Sequence, residues 1–247
     1  MKLNVNNRKV DLQLTDNKYV NVQPKLYVDN PRILISQNFI EYQEIHMKRG
    51  IIGSIKFLDV DDEIDPMVFN ENNFDLLYLE LDIPLGISVT SESSNAPCVD
   101  SRRKIQITKR EFFDLGKVPI ADYYSLGDTL VLMYEEPQDY TKVSMNEVAQ
   151  DFYLIHFNEI VIGCELRNCS YYICDYRGLY EVSQHNEIRS VLAQFFQLYT
   201  KQLYDKLENK DEYLKIKLLK LIVLSTKNNI TAVTEVIGEW LGDYYGR

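Results

Sequence analysis

NEIRSVLAQFFQLYTKQLYDKL, residues 186–207, is the stretch at which the pattern of the chain changes. Its large apolar residues recur every three or four positions, with polar and charged residues between them: Ile188, Leu192, Phe195, Tyr199 and Leu203. This spacing is typical of an amphipathic helix that buries one face. The stretch therefore predicts that a helical region begins near residue 185.

Two further helical segments follow it. KDEYLKIKLLKLIVLSTKNN, residues 210–229, is apolar around much of its circumference, which predicts a deeply packed helix. NITAVTEVIGEWLGDYYGR, residues 229–247, carries its large apolar residues on one side. Because the links between the segments are short, we expect the three helices to pack as antiparallel neighbours.

The chain before residue 185 has the pattern of short strands. Segments such as KVDLQL at 9–14 and RILI at 32–35 alternate apolar and polar residues, or are short apolar runs, and Asn, Asp and Pro separate them. The predicted fold class is therefore α+β, with a largely antiparallel β-sheet or sandwich over 1–184 and a three-helix element over 185–247. These two regions could also form one continuous domain.

The charge of the chain is strongly negative and unevenly distributed. The formal net charge is −10, and residues 1–185 hold 18 Lys and Arg against 29 Asp and Glu. Direct binding to nucleic acid is not expected, because such binding requires clustered basic residues that neutralise the phosphates. The amino terminus has no unbroken apolar run, and no segment approaches the ~20 apolar residues that span a bilayer. We therefore expect a cytoplasmic protein without a membrane partner.

The segment from Phe57 to Ser101 is the most unusual part of the sequence. It contains 11 acidic residues and no Lys or Arg. Such carboxylates repel one another, and a basic partner would relieve the repulsion on binding. The residues that we predict to contact a partner are Asp59, Asp61, Asp62, Glu63, Asp65, Glu80 and Asp82.

Part of this acidic segment resembles a calcium-binding loop in its spacing. In DVDDEIDPMVFNE, the acidic residues at positions one, three and five have the spacing of an EF-hand. Position six, where the loop needs glycine, is Ile64, and position twelve, where it needs glutamate, is Asn70. We therefore predict a solvated acidic loop and no bound metal.

Three cysteines, Cys164, Cys169 and Cys174, are evenly spaced in GCELRNCSYYIC, residues 163–174. The flanking runs IVIGCEL and SYYICDY predict a β-hairpin that turns at Arg167 and Asn168. A structural zinc site needs two close pairs of ligands, which this spacing does not supply. We expect the thiols to be small buried groups.

The sequence contains no recognisable catalytic motif. Its three histidines lack a second His or a Cys at a motif spacing. Only the tertiary structure could pair His156 with Cys164 or Cys174 as a nucleophilic site. We therefore predict no catalytic residues and no cofactor.

The function that these patterns favour is that of a non-enzymatic protein-binding protein. Its acidic surface would neutralise a basic macromolecular partner, in the manner of an immunity protein or other inhibitor. Two alternatives remain open, a structural subunit of a phage or secretion assembly and a hydrolase whose site is assembled from scattered residues. The sequence does not determine the oligomeric state.

Overall fold

A computed structural model describes residues 2–5, 8–15, 23–36, 51–54, 66–73, 75–92, 103–108, 117–175, 177–181 and 185–246. Within these ranges two β-sheets precede a group of helices. The predicted α+β class is therefore confirmed.

Nine strands form the first sheet. They are β1 (Lys2–Val5), β2 (Arg8–Thr15), β8 (Ser88–Thr90), β9 (Lys104–Ile107), β10 (Ile120–Tyr124), β11 (Thr129–Met133), β12 (Val143–Ala149), β13 (Phe152–Phe157) and β14 (Ile160–Leu166). The main order is β8-β10-β11-β14-β1-β2-β9, and β13 followed by β12 lies on the other side of β14. Most pairs are antiparallel, while β1 with β14 and β8 with β10 are parallel. The sheet thus branches at β14.

Six strands form the second sheet. They are β3 (Lys25–Tyr27), β4 (Arg32–Ser36), β5 (Ile51–Ser54), β6 (Met67–Asn70), β7 (Leu76–Asp82) and β15 (Ile173–Cys174), in the order β15-β3-β4-β7-β6-β5. All pairs are antiparallel except β15 with β3. The largely antiparallel character expected from the sequence is present in both sheets.

Four helices lie in the carboxyl-terminal part, where the sequence predicts three. They are α1 (His185–Leu198), α2 (Leu203–Glu208), α3 (Glu212–Lys227) and α4 (Thr231–Tyr245). The first predicted helix is divided after Leu198, where the Thr200 N–H bonds to the Leu198 carbonyl and not to the Phe196 carbonyl that a continuous helix would use. The next free carbonyl, that of Tyr199, accepts a hydrogen bond from the Gly86 N–H at 2.9 Å. The Leu203 N–H, which would bond to that carbonyl in a continuous helix, bonds to Thr200 instead.

The prediction that residues 210–229 form a deeply packed helix is wrong. α3 buries one face, formed by Leu214, Leu218, Leu221 and Ser225. Other large apolar side chains of the same helix are exposed. The helix lies at the outside of the helical group, against α1 and α4, so only one side of its apolar circumference is covered.

The larger of two hydrophobic core clusters joins both sheets to the helices. Phe196 of α1 meets Tyr123 of β10 edge to face, with ring centroids 5.1 Å apart. Phe195 stacks on Trp240 of α4 with a centroid separation of 5.9 Å. Because each large side chain buried in this way contributes about 1.5–3 kcal/mol, α1 is held to the sheet and to α4 together.

The hairpin predicted for residues 160–176 is also wrong. β14 belongs to the first sheet and β15 to the second, so this segment crosses between the sheets. Asn168 adopts a left-handed conformation, with φ of 53°, and a short 3₁₀ helix, Cys169–Tyr171, follows it. The turn is bonded to Asp128, whose carbonyl accepts from the Cys169 N–H at 3.0 Å.

The Asp128 side chain is the buried junction of this crossing. Its carboxylate accepts hydrogen bonds from the Tyr123 hydroxyl at 2.8 Å and from the Ser170 N–H at 2.9 Å. The Ser170 hydroxyl also donates to it. Since hydrogen bonds to a charged group are stronger than neutral ones, this carboxylate stabilises both β10 and the crossing segment.

Within the part of the chain that the structure describes, no helix combines the length and the apolar character needed to cross a membrane.

We predict that Leu192→Asp unfolds or strongly destabilises the protein. Leu192 is fully buried in the shared core, and an unpaired buried charge costs about 4 kcal/mol or more, which lowers the Tm by roughly 10 °C. Ser190→Asp, at an exposed position of the same helix, is the matched control and should leave the Tm nearly unchanged. Thermal unfolding followed by circular dichroism measures both. Equal Tm values for the two variants would contradict the burial of Leu192.

We predict that Asp128→Ala lowers the free energy of unfolding by about 3 kcal/mol, because three buried donors lose their acceptor. Asp139→Ala is the control, since the Asp139 carboxylate also accepts from a backbone N–H, that of Thr141, but at an exposed site. Urea unfolding of both variants measures the difference. A larger loss for Asp139→Ala would show that the crossing does not depend on Asp128.

Candidate functional site

Five of the seven acidic residues that the sequence predicts to contact a partner lie outside the described residues: Asp59, Asp61, Asp62, Glu63 and Asp65. The end of the calcium-like loop is described, and there Met67–Asn70 form strand β6. The structure therefore gives positions for Glu80 and Asp82 alone among the predicted contacts.

Glu80 and Asp82 point to one face of β7, and each lies beside a basic residue from another segment. The Arg32 Nε is 3.8 Å from Glu80 Oε1, and the Lys117 Nζ is 3.0 Å from Asp82 Oδ2. The Tyr78 hydroxyl also donates to Glu80. Residues 57–101 contain no Lys or Arg, but the fold brings basic residues from outside this segment next to both carboxylates.

A cavity of about 280 Å³ lies between the β3–β4 turn, β15 and α4. Eight residues line it: Val28, Asp29, Cys174, Asp175, Ala232, Glu235, Val236 and Glu239. We call it the acidic cavity, because four of the eight carry a carboxylate. α4 contributes four of the eight lining residues at positions i, i+3, i+4 and i+7, which share one side of a helix. The volume lies just below the range of small-molecule pockets, so a single side chain is a better fit than a larger ligand.

Asp175 is the buried carboxylate of the acidic cavity. Burial by itself would raise the pKa of this carboxyl. Hydrogen bonds from the N–H groups of Leu179 and Arg177, together with the Arg177 guanidinium at 2.6 Å, outweigh burial and hold the pKa below its ordinary value. Asp175 is therefore an anion across the physiological pH range.

Asp29 lies at the rim of the cavity and shares its nearest cation with another carboxylate. Arg32 Nη1 is 3.9 Å from Asp29, while the same guanidinium reaches Glu80 through Nε. The guanidinium also lies over the Tyr27 ring, 4.4 Å from its centroid, which fixes its position. Glu80 is thereby linked to the cavity rim through one arginine.

Glu235 and Glu239 stand one turn apart on α4. Neither carboxylate forms an ion pair within the described part of the chain. Like charges at i and i+4 destabilise a helix by about 0.2–0.5 kcal/mol. The cavity therefore carries more negative than positive charge, and a cationic group would be stabilised in it.

The three cysteines of residues 163–174 lie on separate elements, namely β14, the 3₁₀ turn and β15, and all are buried. Burial raises the pKa of the Cys174 thiol to about 12 and raises that of Cys169 well above its ordinary value. Both thiols donate to backbone carbonyls, those of Leu26 and Leu166. These groups are therefore protonated and poorly nucleophilic.

His156 bonds to two neighbours on β12. Its Nδ1 is 3.1 Å from the Ser144 Oγ, and its Nε2 contacts the Asn146 side-chain amide. Burial lowers the pKa of the imidazole, so the ring is neutral at physiological pH. Since both ring nitrogens are engaged in this way, the ring is not directed at Cys164 or Cys174 as a general base. Ser144 and Asn146 were not predicted from the sequence as its partners, because they lie on the neighbouring strand.

Among the residues that the structure describes, no group of three or more His, Cys, Asp or Glu side chains is placed to hold a metal ion.

The residues of the acidic cavity are not among those predicted from the sequence. Glu235 and Glu239 have the i, i+4 spacing that places two carboxylates on one helix face, which the sequence does display. Asp29 and Asp175 are 146 positions apart, and only the parallel pairing of β15 with β3 brings their segments together.

Comparison of the chain with protein-family models, with curated proteins and with solved structures found no match in any of the three.

The fourth cysteine of the chain, Cys98, lies outside the described residues, so we replace it with Ser. We predict that no thiol of this Cys98→Ser variant reacts rapidly with Ellman's reagent in the native state at mildly alkaline pH. Cys164, Cys169 and Cys174 are buried, and the raised pKa values of Cys169 and Cys174 keep those two thiols protonated. All three should react in guanidinium chloride, which provides the control. A native thiol that reacts at the rate of free cysteine would contradict the structure of this segment.

Proposed function

We propose that this protein is a non-enzymatic protein-binding protein that captures a basic partner protein, as an inhibitor or immunity protein does. The observation that carries the proposal is the acidic cavity, in which Glu235 and Glu239 add two carboxylates to a site that already holds Asp29 and Asp175.

The chemistry of the cavity suits the side chain of Lys or Arg. Its apolar lining residues, Val28, Ala232 and Val236, would contact the aliphatic stem, and the carboxylates would surround the charged end. Arg32 and Arg177 already pair with Asp29 and Asp175, so a partner's cation would be stabilised chiefly by Glu235 and Glu239. Binding would also relieve the repulsion between these two carboxylates.

The acidic segment of the sequence adds a long-range contribution to the same proposal. A net charge of −10 attracts a basic protein before contact and raises the association rate. We include Asp59, Asp61, Asp62, Glu63 and Asp65 in this steering role. Glu80 and Asp82 contribute less, because Arg32 and Lys117 offset their charge.

Affinity purification of the full chain from its native host distinguishes the three classes of function. Recovery of one basic partner supports the proposal. Recovery of a stoichiometric multi-protein particle would instead support a structural subunit of an assembly. If neither is recovered, the protein-binding proposal fails and hydrolase assays become the next step.

We predict that the double variant Glu235→Gln, Glu239→Gln associates with the recovered partner several-fold more slowly and dissociates faster at low salt. The control is Glu135→Gln, Glu136→Gln, which removes the same charge from an exposed loop after β11. Surface plasmon resonance measures both rates. An equal effect of the two variants would mean that net charge, and not the cavity, governs binding.

We predict that replacing Asp61, Asp62 and Asp65 with Asn and Glu63 with Gln slows association, and that the wild-type association rate falls as salt is raised. The dissociation rate should change less than it does for the cavity variant, because steering acts before contact. An unchanged association rate at low salt would remove the acidic segment from the proposal and leave the cavity.

A further inference from the structure

α3 exposes a row of large apolar side chains on the side opposite its buried face. Tyr213, Ile216, Leu219 and Val223 are 69%, 49%, 46% and 67% exposed. We call them the apolar stripe. Single exposed apolar residues are ordinary on protein surfaces, but a contiguous row along one helix marks an interaction site.

The geometry of an α-helix places the ends of α3 on this stripe. At about 100° per residue, Ile216 and Val223 lie within roughly 20° of each other around the axis. Glu212, in the first turn, lies within roughly 20° of Val223, and Lys227, in the last turn, lies roughly 40° from it. The stripe therefore has an acidic end and a basic end, both exposed. Glu212 also lies 3.7 Å from Lys215 of its own helix, but such an exposed ion pair is weak and leaves the carboxylate accessible to a second cation.

This arrangement is complementary to itself when two copies run in opposite directions. An antiparallel pair centred between residues 219 and 220 places Ile216 opposite Val223 and Glu212 opposite Lys227. Each contact occurs twice because the pair is symmetric. A parallel pair would instead set Glu212 beside Glu212 and Lys227 beside Lys227, which is repulsive.

We propose that two copies of this chain form a twofold-symmetric dimer in which their α3 helices pack antiparallel through the apolar stripe. The occupant of the stripe is thus a second copy, as the positions of Glu212 and Lys227 indicate. The proposal does not depend on the binding of a basic partner, since it uses a different face and different residues.

The strength of the dimer follows from its size and charge. The stripe from Tyr213 to Val223 is about 15 Å long, shorter than the contact of a typical stable complex. The same register places Leu219 of one copy opposite Lys220 of the other at the symmetry axis, and it brings the two Lys220 side chains near each other, which opposes association. The dimer is therefore weak and reversible, and its population rises with protein concentration.

Sedimentation equilibrium of the full chain over a range of concentrations tests this proposal. The wild type should shift from monomer to dimer, and Ile216→Glu, Val223→Glu should raise the dissociation constant by roughly tenfold or more. The control is Lys210→Glu, which changes the net charge equally at an exposed position just before α3. Circular dichroism verifies that each variant is folded.

A charge exchange tests the antiparallel register itself. Glu212→Lys alone and Lys227→Glu alone should each weaken the dimer at low salt, because like charges then face each other. The double variant Glu212→Lys, Lys227→Glu should restore dimerisation, since opposite charges again meet across the pair. Restoration by the double variant cannot arise from the net charge, which is the same as in the wild type.

Three outcomes would overturn the proposal. A wild type that stays monomeric at every concentration leaves the stripe to another occupant, such as an acidic protein surface that the flanking lysines would attract. A dimer that forms equally well with Ile216→Glu, Val223→Glu uses another surface. Loss of the dimer in the double charge variant, with the stripe intact, would exclude the antiparallel register.

Discussion

The fold depends on the buried carboxylate of Asp128, which holds the chain at its passage from one sheet to the other. Tyr123 and Ser170 donate to it from β10 and from the crossing segment. A carboxylate buried without donors would be expensive, so the segment is constrained to bring its N–H groups to this point. The direction in which β15 leaves the crossing, and hence its pairing with β3, follows from that constraint.

The position of the acidic cavity follows from the same chain of contacts. β15 supplies Cys174, with Asp175 next to it, and α4 supplies Glu235 and Glu239. The Phe195–Trp240 stack fixes α4 against α1, while the edge-to-face contact of Phe196 with Tyr123 fixes α1 against β10. Residues at the surface of the cavity are thus positioned by apolar contacts in the core. The charge of the site and the rigidity of its support come from different residues.

The helical part of the chain and the α+β fold class were predictable from local patterns, whereas the packing of the helices and strands was not. The three-to-four spacing of residues 186–207 predicted helix correctly but could not show that the helix breaks after Leu198, where the Gly86 N–H bonds to the Tyr199 carbonyl. The predicted partner-binding residues show the same limit of local patterns. Glu80 and Asp82 were found as acidic residues, but their pairing with Arg32 and Lys117 needs strands and loops that are distant in sequence.

By itself the sequence determined the α+β class, the helical character of the chain after residue 185, the negative charge and the apolar circumference of α3, because periodicity and composition are local properties. Only the tertiary structure decided which face of α3 is covered, that residues 163–174 cross between sheets, and that Asp29 and Asp175 share a cavity with α4. These features depend on contacts between residues far apart in the chain. Burial of apolar surface and of the Asp128 carboxylate selects among the arrangements that the local patterns allow.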